Sequence, residues 1–98
     1  MKGNRVMRHT TITGVPMDDP ISGEIMGHLR MIEHAYGVII ANKEELCTWI
    51  WHATRDRREI LTIALALNNW VAVHGLSGRM TIPKERVEQI IAATVGRW

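Results

Sequence analysis

Cysteine is almost absent: Cys47 stands alone. One thiol cannot close a disulfide within the chain or build a cysteine-rich zinc site, and an unpaired thiol fits a reducing compartment. Long hydrophobic runs are missing as well. The longest, Ile63 to Leu67, falls far short of the ~20 apolar residues that span a bilayer. The opening MKGNRVMRH is not followed by the apolar stretch a secretory signal requires. These absences predict a soluble, cytoplasmic protein with no membrane partner. An excess of charge is lacking too. Twelve Lys and Arg against 10 Asp and Glu leave +2, whereas a nucleic-acid-binding domain concentrates basic residues on one face.

Catalytic signatures are equally scarce. The chain has no phosphate loop, no GxSxG and no HExxH, so none of the familiar nucleophile, phosphate or zinc motifs is present. Five histidines raise the question of a metal. His28, with Glu24 one turn before it, is the best placed, but His28 and His34 are not spaced to share a helix face. It reads as a core histidine, and His34, His52 and His74 as surface or helix-end residues. Cys47 reads as a small buried apolar residue, since no basic neighbour is placed to lower its pKa. The expectation is a non-enzymatic protein with no metal and no cofactor.

What is present is helical periodicity. Residues 1–17 read as an irregular arm with one or two short strands, basic through Lys2, Arg5 and Arg8. Residues 18–98 read as a single helical domain: 98 residues suffice for one thin core. Asp19 caps a first helix, Pro20 opens it, and Ile21, Ile25, Leu29, Ile32 and Tyr36 form its stripe up to Gly37. Gly23 and Gly27 lie off that stripe, where they could admit a closely approaching helix. GVIIA, 37–41, reads as a buried strand or a continuation of that helix. Asn42 is expected to cap KEELCTWIWHAT, with Glu44 and Glu45 in the positive first turn. RDRR is a polar break, EILTIALALNNWVAVHG a third helix, and LSGRMTI a loop or extended piece. Pro83 opens a fourth helix with Val87, Ile90, Ile91, Thr94, Val95 and Trp98 on one face. The fold class is mainly α, a compact four-helix bundle.

Two stretches carry functional expectations. In WIWHATRDRREI, 49–60, Trp49 shares the apolar face with Leu46, Ile50 and Ala53 and is expected in the core. Trp51 lies at the edge of that face. If the chain engages a partner here, Trp51 with Arg55, Arg57 and Arg58 carries the contact, because Trp and Arg dominate interface hot spots. Base stacking fits less well, since Asp56 and Glu59 interrupt the arginines. The plain alternative is a solvated helix connection. The third helix is apolar nearly all round, and such a helix must be covered all round. Either the companion helices enclose it, or one side, through Leu61, Leu65, Asn68 and Ala72, meets a second copy. Asn68, near the apolar side, needs a hydrogen-bond partner in a loop or across that interface.

A helix-turn-helix centred on Gly75 has too long a turn, and the exposed face of the fourth helix is mixed in sign. The sequence therefore points to a protein-binding module, a regulator, adaptor or inhibitor, that forms a homodimer through apolar helix surface. The alternatives are a DNA-binding regulator using the arm and RDRR, or a small-ligand sensor with a pocket at a subunit interface. If no metal supports the fold, excess chelator will leave the far-ultraviolet helical signal unchanged. Loss of helicity would show that bound metal supplies folding energy.

Overall fold

The computed structural model describes residues 11–12, 15–16, 19–75 and 78–96. Among them lie four helices: α1 (Pro20–Tyr36), α2 (Lys43–Ala53), α3 (Arg57–His74) and α4 (Lys84–Val95). The short strands are β1 (Thr11–Ile12), β2 (Val15–Pro16), β3 (Val38–Ile40) and β4 (Gly78–Met80). The expected mainly α, four-helix fold is the one observed. β1 and β2 pair antiparallel, with Ile12 opposite Val15, so Pro16 joins a strand rather than ending one. A two-residue ribbon leaves edges where its missing N–H costs nothing. Lys2, Arg5 and Arg8 of the expected basic arm, and Trp98 of the expected α4 stripe, lie outside the described residues.

α1 begins as its sequence dictates. The Asp19 carboxylate accepts from the backbone N–H groups of Ile21 (2.9 Å) and Ser22 (3.0 Å), and Pro20 occupies the first turn. Ile25, Leu29 and Ile32 are buried. Gly37 ends the helix at φ 65°, its N–H bonded to the Glu33 carbonyl, a left-handed conformation that glycine adopts without penalty. The chain then becomes β3, with Val38 and Ile40 inward and Ile39 outward.

β3 pairs in parallel with β4, Ile39 opposite Arg79. A parallel partner requires a long crossover, and α2 and α3 together supply it. The closure is secured just past the strands by Asn42. Its side-chain amide donates to the Ile82 carbonyl (2.8 Å) and its Oδ1 accepts from the Ile82 N–H (3.2 Å). This corrects the expected role of Asn42: it makes no side-chain cap bond to α2, because Ile82, 40 residues away, takes both of its polar groups. Glu33 answers the other edge of β3, accepting from the Ile40 N–H (2.7 Å) and from Lys43 Nζ (2.8 Å). Burial pushes the Glu33 carboxyl pKa up, but the Lys43 ammonium and the Ile40 amide outweigh it, and the net shift is down.

α3 starts at Arg57, two residues before the sequence expectation, because Asp56 caps it by accepting from the N–H groups of Arg58 (2.8 Å) and Glu59 (3.1 Å). α1 packs against both α2 and α3, and α4 against α3 and α2, while α2 and α3 scarcely meet. The bonds Arg57–Glu24 and Asn68–Tyr36 join residues 33 and 32 apart. A constant offset means that α1 and α3 run in the same direction. The core between these elements is aliphatic: Leu46, Ile63, Leu67, Ile82, Val87 and Ile91 are all 0% exposed. Each such side chain contributes about 1.5–3 kcal/mol of burial.

The expected close approach at Gly23 and Gly27 does not occur, because a Cβ at either position would meet nothing within 4 Å. Gly75 is the opposite case: a Cβ there would lie 2.6 Å from the Val71 carbonyl oxygen and 2.9 Å from Val71 Cγ1. Gly23→Ala is therefore expected to stabilise by about 0.4–1 kcal/mol and Gly75→Ala to destabilise by about 1–3 kcal/mol. Chemical denaturation of the two variants checks both signs.

Candidate functional site

The stretch around Trp51 is engaged within the chain. Trp51 Nε1 donates to the Asp19 carboxylate at 3.0 Å, the same oxygen that caps α1. The Arg55 guanidinium lies 4.4 Å from the Trp51 ring centroid, within cation–π range. Arg57 Nε donates to both carboxylate oxygens of Glu24, at 2.9 and 2.8 Å. Arg58 is exposed and has no ion pair among the described residues. Of the four residues that the sequence nominates for a partner, three are held by contacts to α1 or to one another. Sequence spacing carried no signal for these bonds, because Asp19 and Trp51 are 32 residues apart.

Trp49 is a correction. It is half-buried rather than core, packing against the aliphatic cluster while Lys84 Nζ sits 5.6 Å from its ring. Lys84, the first residue of α4, thus lies against the indole. His28 is also half-buried and not in the core, because it lies at the margin of the α1 stripe, whereas His34, His52 and His74 are exposed as expected.

At the α2–α3 junction a polar hollow of about 490 Å³ is lined by His52, Ala53, Thr54, Arg55, Asp56 and Glu59. Its acids are committed to structure: Asp56 caps α3, and Glu59 accepts from the Thr54 hydroxyl. Among the described residues no group of three or more His, Cys, Asp or Glu is arranged to hold a metal ion, and no helix is long and apolar enough to cross a membrane. Cys47 is buried and donates to the Ser22 carbonyl at 3.6 Å. Burial, followed by the Asp19 and Glu44 carboxylates, pushes its thiol up to about 11, so little reactive thiolate exists near neutral pH.

The distinctive surface lies on α3. Ile60, Ile63, Ala64, Leu67 and Val71 are buried against the core. Leu61 and Leu65 are 48% and 56% exposed, Ala72 is exposed and Asn68 half-buried. The companion helices therefore do not enclose α3. The amide of Asn68 donates to the Tyr36 hydroxyl at 3.2 Å. The partner that the sequence sought in a loop or another chain is thus a side chain of α1. Tyr36 is itself partly exposed and extends the patch. From Ile60 to Val73 the helix carries no Asp, Glu, Lys, Arg or His, so the uncovered face has no charge along ~20 Å of its length.

No family model, no curated protein and no solved structure matches the chain.

The Asp19 carboxyl pKa is held below the ordinary carboxylate range, first by the Trp51 N–H and then by the Ser22 amide. A carboxyl with a depressed folded-state pKa adds stability above the ordinary range and loses it as pH falls through the depressed value. Trp51→Phe is expected to raise the Asp19 pKa and flatten this acid dependence. Carboxyl titration by NMR, together with denaturation between pH 2 and about 5, checks both effects; an unchanged Asp19 titration would show that the indole bond does not hold in solution.

Proposed function

We propose that this protein is a small, non-enzymatic binding module of the cytoplasm that self-associates and acts by occupying another protein, as a regulator, adaptor or inhibitor. The observation that carries the reading is the uncharged, exposed face of α3 centred on Leu61 and Leu65. Monomeric proteins rarely leave contiguous apolar patches uncovered, and larger ones mark interaction sites. The elevated thiol pKa of Cys47 and the commitment of Asp56 and Glu59 to α3 and Thr54 leave little that could perform chemistry.

The two leucines do not make the contact alone. Leu61 and Leu65 are each about half exposed, so covering both on two copies returns about 4 kcal/mol. Association costs about 4–15 kcal/mol of lost freedom. The interface must therefore also draw in Tyr36, Ala72 and neighbouring surface. The nucleic-acid reading has less support: Arg57 is paired with Glu24 and Arg55 lies over Trp51, which leaves Arg58 as the freest cation of the break.

Light scattering at tens of micromolar is expected to give about twice the 11.2 kDa chain mass. Leu61→Glu with Leu65→Glu is expected to return the protein to monomer with helicity unchanged. A wild-type monomer at that concentration would overturn self-association. Salt-dependent binding to random duplex DNA would replace the reading with the nucleic-acid one.

A further inference from the structure

The contact face has a symmetry of its own. Leu61, Leu65, Asn68 and Ala72 are separated by 4, 3 and 4 residues, a spacing that reads the same in both directions along the helix. All four project from one flank of α3, roughly 110° around the helix from the centre of its buried stripe and bordering α1, whose Tyr36 meets Asn68. Building on the self-association proposed above, we propose that the occupant of this face is a second copy of the chain, with the two α3 helices packed antiparallel about a two-fold axis between Leu65 and Asn68. Leu61 then lies opposite the partner's Ala72, a large side chain against a small one, and Leu65 covers the partner's Asn68. A two-fold contact must be self-complementary in this way.

Charge selects the antiparallel arrangement over the parallel one. The charged residues of α3 before His74 are Arg57, Arg58 and Glu59, all in its first turn. Arg58 is exposed and lies on the same side as Leu61 and Leu65. A parallel pair would bring the arginine-bearing ends of both copies together. An antiparallel pair separates the two Arg58 side chains by roughly 25 Å, well beyond the ~8 Å screening length. It also sets each Arg58 beside the last turn of the other α3, where unsatisfied carbonyls carry partial negative charge that favours a cation. His74 sits in that turn with its Nδ1 3.2 Å from the Trp70 carbonyl oxygen, so its ring is turned back along its own helix.

Cysteine crosslinking of the full chain tests the orientation. Cys47 is buried and serves as the wild-type background. Under mild oxidation Leu65→Cys is expected to crosslink to itself, its two copies being offset by only ~4–5 Å along the helices. Leu61→Cys alone is expected to stay at background, because its copies lie roughly 16 Å apart along the axis, beyond the ~7 Å Cα separation a disulfide can bridge. A mixture of Leu61→Cys and Ala72→Cys is expected to give the heterologous crosslink. Efficient self-crosslinking of Leu61→Cys would overturn the antiparallel arrangement in favour of a parallel one. A dimer by light scattering with no crosslink at any α3 position would show that self-association uses another face. A monomer by light scattering at tens of micromolar would remove both the orientation and the self-association it rests on.

Discussion

The double hydrogen bond between Asn42 and the backbone of Ile82 holds the molecule closed. A single side-chain amide satisfies both the N–H and the C=O of a residue 40 positions away, just beyond the point where β3 and β4 stop pairing. Three things depend on it. Ile82 is delivered into the core, where it is fully buried. Pro83 is placed to open α4. The two parallel strands, too short to hold one another unaided, are kept in register. The Glu33–Lys43 pair works on the opposite edge of β3, so the strand is secured on both sides. Polar groups buried this closely to the core must be satisfied, because each one left unpaired costs about 1–3 kcal/mol.

This closure determines which helix faces remain free. α2 and α3 form the crossover between the strands and barely touch; each leans on α1 and α4 instead. Flanked in this way, α3 buries the stripe from Ile60 to Val71 and leaves the opposite side without a neighbour. The α2–α3 break, by contrast, is drawn into the fold by Asp19, Glu24 and Glu59. The two stretches of greatest interest in the sequence thus have different fates. The tryptophan and arginine cluster is spent largely on internal contacts, and the apolar helix is left exposed.

The aromatic residues illustrate the same division. Trp49, Trp51 and Trp70 all pack at the edge of the aliphatic core rather than inside it. Each has a polar or cationic neighbour: Lys84 over Trp49, Asp19 and Arg55 at Trp51, and the stacked His74 at Trp70. An indole carries an N–H that needs a partner when buried and a ring face that attracts cations. The rim of the core supplies both.

Much of the local structure was legible in the chain itself. Asp19 and Pro20 mark the start of α1, Gly37 its end, and the aliphatic spacing marks the inward faces of α1 and α4. These are short-range properties, set by backbone hydrogen bonding and by which residues recur every 3–4 positions. The nomination of Leu61, Leu65, Asn68 and Ala72 as one side of α3 was legible for the same reason. The polarity and spacing of the sequence could not say which side of an all-apolar helix the core would take, because that choice is made by where α1 and α4 lie. Nor could they assign Asn42 to Ile82, Trp51 to Asp19 or Asn68 to Tyr36. Those bonds join residues 32–40 positions apart, and only the tertiary fold, by setting distant helices side by side, decides which polar group meets which.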